Sequence, residues 1–141
     1  MKEFSATTTI EASPDAIWAI LTHAPGYPDW DPNVDRIEGN IAPGEKIKAY
    51  TKLSPGRAFP VKVTEFVPGQ KMTWSSGMPL GLFKGERTFT LERQDAGSTE
   101  FTVREQFSGL LLPLIGRSIP DLTDAFEQHA AGLKNLAESA G

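Results

Sequence analysis

The 141-residue chain contains no cysteine. Disulfides, thiolate metal sites and cysteine nucleophiles are therefore excluded. It has only two histidines, His23 and His129, far apart in sequence, so no local metal-binding pair is written into it and no metal or other cofactor is expected. It also lacks a basic excess. Fourteen Lys and Arg stand against eighteen Asp and Glu, for a formal charge of −4. Phosphate-backbone binding draws on a concentrated positive surface, so a nucleic-acid partner is not expected. Long hydrophobic runs are missing as well. The most apolar stretch, "GLLLPLIG" (109–116), is too short to cross a bilayer and holds Pro113. The opening "MKEFSATTTIEASPD" has neither the apolar core nor the cleavage site of a signal peptide, and the expected location is the cytoplasm. No GxxxxGK[ST] phosphate loop, GxGxxG turn or GxSxG nucleophile elbow occurs. The composition, 39% apolar and 23% charged, is that of a globular chain rather than a disordered one. Its length fits one domain spanning 1–141.

What is present is mostly alternation. In residues 2–11, Phe4, Ala6, Thr8 and Ile10 share one face and polar residues the other, the mark of a half-buried strand. "SPDAIWAIL" then opens a helix, with Ser13 as N-cap, Pro14 at the first helical position and Asp15 at the positive end. Ile17, Leu21 and one of Trp18 and Ile20 face inward. "APGYPDWDPN" (24–33) is a turn-rich connection with room for one helical turn, in which Trp30 acts as a plug and His23 is exposed. Strands follow near 34–40 and 45–53. "VKVTEFVPGQKMTWSS" reads as a hairpin about a two-residue Pro68-Gly69 turn, with Val61, Val63 and Glu65 sharing the face of Met72, Trp74 and Ser76. "GMPLGLFKG" (77–85) is broken by glycine and proline and reads as a loop with an apolar tip.

A second hairpin runs from 83 to 108 across "QDAG". Centred on Ala96, it sets Leu91 against Phe101, Phe89 against Val103 and Arg87 against Glu105, all on one face. A long helix ends the chain. Leu122, Phe126, His129, Leu133, Leu136 and Ala140 recur at helical spacing and form its apolar face. Pro120 predicts a restart, capped by Ser118 or Ile119, with Asp121 and Asp124 in the first turn. The order of strand, short helix, many strands and long helix gives an α+β chain: a curved antiparallel sheet of six to seven strands wrapped on one helix, with one or two short helices after the first strand.

Four stretches carry a resemblance to the START-like (SRPBCC) superfamily, in its bacterial polyketide cyclase/dehydrase-like branch: "IEASPDAIWAIL", "YPDWDPNV", "VTEFVPGQKMTW" and "GLLLPLIGRSI" with the helix after it. The likeness covers essentially the whole chain. It implies the helix-grip fold and an internal hydrophobic cavity. It carries no catalytic motif across, because the fold hosts carriers, receptors and enzymes.

The chemistry therefore has to come from particular residues. His129 points from the helix toward the sheet. It is either a ligand partner or acid/base group poised near neutral pH, or a core histidine satisfied by a backbone carbonyl or a tyrosine hydroxyl. Arg87 and Glu105 would form an ion pair on a concave apolar face, suited to anchoring a ligand carboxylate or phenol; a register slipped by one residue would instead make both solvent-facing charges. Trp74, Phe89, Val103 and Phe126 are candidate walls. The 77–83 and 110–115 segments would be mouth and lid, or pack together, or form a dimer contact. The reading that follows is a small hydrophobic or aromatic ligand, lipid- or polyketide-like, held between sheet and helix by a monomer or weak homodimer. The alternatives are a polyketide cyclase or dehydratase in which His129 or Glu105 moves a proton and Arg87 stabilises an enolate, and an interaction protein that docks through 77–83.

Overall fold

The computed structural model describes residues 2–52, 55–78, 80–95 and 97–140, the side chains of Ser118 and Ala140 excepted. Ala96 and the final part of the 45–53 run, at Leu53, lie outside the described residues. Seven strands form one antiparallel sheet: β1 (Lys2–Ile10), β2 (Val34–Glu38), β3 (Lys46–Thr51), β4 (Ala58–Val67), β5 (Lys71–Met78), β6 (Phe83–Asp95) and β7 (Ser98–Ser108). Their order across the sheet is β1-β7-β6-β5-β4-β3-β2. Between β1 and β2 lie α1 (Pro14–Leu21), a 3-10 turn (Ala24–Gly26) and α2 (Tyr27–Trp30). After β7 come α3 (Leu112–Ile115), a 3-10 turn (Gly116–Ser118) and α4 (Thr123–Ala140). This is the helix-grip architecture. The concave face of the sheet closes on α4, and the core gathers Ile10, Ile17, Leu21, Met72, Phe89, Phe101, Val103 and Leu133, all below 2% exposed.

Local chemistry explains most of the element boundaries. Ser13 Oγ accepts from the Ala16 N–H at 3.2 Å and starts α1, with Pro14 just inside. The β6–β7 register is the one the alternation predicts: Leu91 opposes Phe101, Phe89 opposes Val103 and Arg87 opposes Glu105.

Five details differ from the sequence expectation. The β4–β5 connection has three residues, 68–70, because the Gln70 N–H closes on the Val67 carbonyl and Val67 pairs with Lys71. A bulge between Val63 and Glu65 shifts the β4 pattern by one residue. Phe66 therefore opposes Met72 on the inner face, and Glu65 turns outward to pair with Lys71 at 3.0 Å. The 77–85 stretch is largely strand: Gly77 and Met78 extend β5 and pair with Lys84 and Phe83, so of the described residues only 80–82 lie between the strands, Pro79 being outside them. Gly77 makes this possible. Its φ is +135°, and a Cβ there would collide with the Phe83 backbone. The helical restart after Pro120 begins at Thr123, where Asp121 Oδ1 accepts from the Thr123 N–H at 2.9 Å, so Ile119, four residues upstream, is not its cap; the Ser118 side chain lies outside those described. Finally, the inner stripe runs from Leu122, just before α4, through Phe126, His129, Ala130, Leu133 and Ala137, while Leu136 is 36% exposed and the Ala140 side chain lies outside those described. At about 100° per residue Leu136 falls about 80° from Phe126, whereas Ala137 falls about 20° from it.

Candidate functional site: a buried imidazole–carboxylate pair among aromatic rings

α2 is short because Pro28 starts it and the Asp-Pro sequence at 31–32 ends it, Asp31 being extended. That extended backbone turns the Asp31 side chain inward while its Oδ1 accepts the Asn33 N–H at 3.0 Å. α4 passes directly over this turn. Gly132 permits the approach, since a Cβ there would land on the Trp30 carbonyl oxygen. The Asn33 side-chain amide fastens the two elements, donating to the Ala125 carbonyl at 3.3 Å and to Gln128 Oε1 at 3.0 Å. The result is a hydrogen bond of 2.6 Å between His129 Nδ1 and Asp31 Oδ2, both side chains 4% exposed.

Rings surround this pair. The imidazole lies 4.9 Å from the Trp30 ring, 5.7 Å from Phe89 and 5.8 Å from Phe101. Tyr27 lies tilted against Trp30 at 4.7 Å and 5.9 Å from Trp74, which in turn packs edge-on against Phe89 at 4.8 Å. The Tyr27 hydroxyl is committed to the Leu21 carbonyl. Three ring nitrogens in this cluster are buried without a hydrogen-bond partner: His129 Nε2, Trp30 Nε1 and Trp74 Nε1.

The electrostatics define the pair's protonation. Burial pushes the Asp31 carboxyl up, yet the hydrogen bond and charge of His129, the Asn33 N–H and the field of Arg87 bring it below the usual carboxylate range. Burial lowers the His129 imidazole, Arg87 lowers it further, and Asp31 opposes this without reversing it. Burial, reinforced by Asp31, holds the Tyr27 phenol well above its ordinary value. At neutral pH Asp31 is an anion and His129 is neutral. Nδ1 must then carry the proton that it donates to Asp31, which leaves Nε2 as an unprotonated acceptor.

Next to the cluster, Arg87 Nε donates to Glu105 Oε1 at 2.7 Å, with the Arg87 guanidinium 4.9 Å from the Phe126 ring centre. Their side chains are 28% and 15% exposed. Ser76, on the same sheet face as Trp74, is exposed. Solvent therefore reaches this ion pair and Ser76, while the ring cluster beside them stays buried.

Of the residues singled out from sequence, Trp74, Phe89, Val103, Phe126 and His129 meet in the buried core, and Arg87 and Glu105 sit at its open end. Rings fill the middle of the space beneath α4. Among the described residues, one surface groove of about 440 Å³ runs between α2 and α4 along Pro28, Trp30, Pro32, Gln128 and Asn135, touching the cluster through Trp30, and one of about 310 Å³ runs between β1 and α4. Neither is lined by the Asp31–His129 pair. The partner of His129 is Asp31, rather than a carbonyl or a tyrosine hydroxyl, and sequence reasoning did not find it. The Asp-Pro-Asn sequence signals a turn and nothing about a residue 98 positions away. Among the described residues no group of three His, Asp or Glu is placed to hold a metal.

The sequence profile of a family described as polyketide cyclase/dehydrase and lipid transport matches residues 1–141. The chain belongs to that family. Solved structures with the same fold include a START-superfamily protein from Mycobacterium smegmatis, at 17% identity, TM-score 0.69 and 99% coverage of both chains. A norcoclaurine synthase point mutant from Thalictrum flavum, in complex with a transition-state analogue, superposes at TM-score 0.74 and 15% identity over 99% of this chain and 95% of that one. The Zhui aromatase/cyclase from a Streptomyces species matches at TM-score 0.69 and 14% identity, over 97% and 93%. A comparison with curated protein sequences finds no match. At these identities the likeness is one of fold. The polyketide cyclase/dehydrase and lipid transport family thus sets the architecture, and this chain's own residues set the chemistry. No described helix of this family member is long and apolar enough to cross a membrane.

Proposed function

We propose that the domain holds a small hydrophobic or aromatic molecule, lipid- or polyketide-like, against the concave face of the sheet beneath α4. One observation carries this reading: His129 Nε2, Trp30 Nε1 and Trp74 Nε1 are buried and unpartnered within a single run of ring contacts. An unsatisfied buried polar atom costs about 1–3 kcal/mol, and native cores carry few of them. Three together in one apolar cluster suit a surface that is completed by a ligand. Trp74, Phe89, Val103 and Phe126 supply the apolar walls. Arg87, oriented by Glu105, stands at the entrance. Native mass spectrometry of freshly purified protein, compared with the denatured mass, tests the reading. A non-covalent excess of a few hundred daltons is expected, and a bare mass together with failure to take up any apolar probe would defeat it.

The Asp31–His129 pair supports a second reading, a cyclase- or dehydratase-type enzyme. A carboxylate that fixes the imidazole tautomer and leaves Nε2 free is the arrangement of a general base. If that reading holds, His129→Ala abolishes turnover while ligand still binds. Binding without turnover in the native protein would leave the carrier reading alone.

A further inference from the structure

At one end of the sheet the chain leaves large apolar side chains in water. Leu80, Leu110 and Leu114 are 90%, 78% and 76% exposed, and Met78 is 49% exposed. They belong to two segments that the backbone ties together, the β5–β6 turn and the stretch from the end of β7 into α3. The Leu110 N–H donates to the Gly81 carbonyl and the Leu111 N–H to the Leu82 carbonyl. Gly109, at φ +123°, permits this approach, since a Cβ there would strike the Leu82 carbonyl oxygen and the Phe83 backbone. Beneath the tip, Phe83 stacks on Phe107 at 5.9 Å and Phe107 meets Phe4 edge-on at 6.3 Å. The tip is rooted in packed rings, and its leucines are held out rather than folded in.

The turn is not built for folding alone. Leu80 (φ +63°) and Gly81 (φ +69°) are successive left-handed residues, a pair that Asn-Gly serves best. Leucine is disfavoured in that conformation, and its side chain gains no packing in exchange. Charge marks the same end. Residues 77–85 and 108–120 hold Lys84 and Arg117 and no acid, so all eighteen Asp and Glu of the chain lie elsewhere. Lys2 joins these cations, its Nζ donating to the Gly116 and Ile119 carbonyls at 3.0 and 3.3 Å. Glu86, just beyond the first segment, lies 3.6 Å from Lys84, while Arg117 is exposed. A second copy docked tip to tip would bring like charges together with no acid in either segment to answer them. An anionic lipid surface would answer the cations, receive the leucines and repel the acidic remainder, which sets the orientation.

The geometry points to a peripheral membrane contact, in which Leu80, Leu110 and Leu114 enter the headgroup–acyl boundary of an anionic bilayer while Lys84 and Arg117 meet its phosphates. The contact stands apart from whatever the ring cluster holds.

Co-flotation of the native protein with vesicles tests it, using phosphatidylcholine alone and phosphatidylcholine mixed with phosphatidylglycerol. Binding to the mixed vesicles is expected, about tenfold or more tighter than to phosphatidylcholine alone, and weakening as salt is raised. Leu80→Asn and Leu114→Ser should each weaken mixed-vesicle binding by about tenfold. Leu80→Asn should unfold in urea no earlier than the native protein, because Asn suits the left-handed turn, so that lost binding is not lost fold. Arg117→Gln should weaken binding to the mixed vesicles by about fivefold and leave phosphatidylcholine binding unchanged. No flotation, equal flotation with both vesicles, or binding that Leu80→Asn and Leu114→Ser leave unaltered overturns the inference. So does a concentration-dependent dimer that Leu80→Asn abolishes in a protein that does not float, which gives this end to a second copy. Each of these outcomes leaves the ligand-binding reading, tested by the native mass, where it stands.

Discussion

At the scale of single residues, the Asp31–His129 pair sets the protein's response to acid. Both side chains are 4% exposed, and both have folded pKa values below their ordinary ones. The unfolded chain therefore binds more protons as the pH falls, and stability must fall with it. The stability is fully present above the ordinary histidine value of 6.5. It declines below that as unfolded His129 protonates, and declines further below the ordinary Asp value of 3.8. Each group contributes a slope of at most about 1.4 kcal/mol per pH unit. Thermal melts between pH 8 and pH 3 should show a plateau above 6.5 and a falling limb below it. A curve flat down to pH 4 would contradict the assignment. Single removal should be worse than acid: His129→Leu strands a buried carboxylate at a cost of about 3–5 kcal/mol, whereas the Asp31→Leu/His129→Leu double variant should recover much of that and lose the upper limb. Only half of this pair could be read in advance. His129 stood out because a polar residue interrupts an apolar helical stripe. Asp31 did not, because a carboxylate flanked by tryptophan and proline in a turn has an ordinary local role, and only the tertiary fold brings α4 above it.

The same division appears among the elements. The β6–β7 hairpin was legible because both runs alternate and a single register buries Leu91, Phe89, Phe101 and Val103 together. The β4 bulge was not legible, because one extra residue leaves no trace in the hydrophobic pattern. Val61, Val63 and Glu65 alternate as well as any strand, and only the position of Phe66 opposite Met72 betrays the shift. The α2–α4 contact was hidden for a different reason. It depends on Gly132, which in sequence is merely a poor helix former. In a free helix Gly132→Ala would gain about 1 kcal/mol. Here the added Cβ meets the Trp30 carbonyl, so the sign should reverse, to a net loss of about 1–3 kcal/mol as α4 is pushed off α2. Urea unfolding checks this, and a stabilised Gly132→Ala variant would mean that the two elements are not held as closely as the Asn33 bridge implies. On the opposite side of the site, Arg87→Met keeps the stem over Phe126 but strands Glu105, which is 15% exposed. A loss of about 1–3 kcal/mol is expected, partly restored by adding Glu105→Gln. Equal stability of Arg87→Met and wild type would make the ion pair irrelevant to folding and leave it a role only at the entrance.

Across the whole molecule, apolar surface is distributed unevenly. Leu133 is fully buried, while Leu80, Leu110 and Leu114 are 90%, 78% and 76% exposed. These exposed leucines share one end of the domain. The Leu110 N–H bonds to the Gly81 carbonyl at 3.1 Å and the Leu111 N–H to the Leu82 carbonyl at 2.8 Å, so the β5–β6 turn and the segment after β7 pack on each other through backbone. Phe83 and Leu112 of that junction pack against the core, whereas Leu80, Leu110 and Leu114 remain exposed. Truncation should separate the two. Leu133→Ala removes a side chain with no freedom to relax and should cost about 2–5 kcal/mol. Leu80→Ser and Leu114→Ser remove side chains that water already covers, and each should change stability by no more than about 0.5 kcal/mol while weakening retention on a hydrophobic-interaction column. Chemical unfolding and chromatography on the same three variants decide the matter. If the serine variants unfold as readily as Leu133→Ala, the exposed leucines belong to a buried contact, a self-associated dimer being the simplest. In that case the stability of the native protein would rise with its own concentration, a dependence that a dilution series of melts would expose.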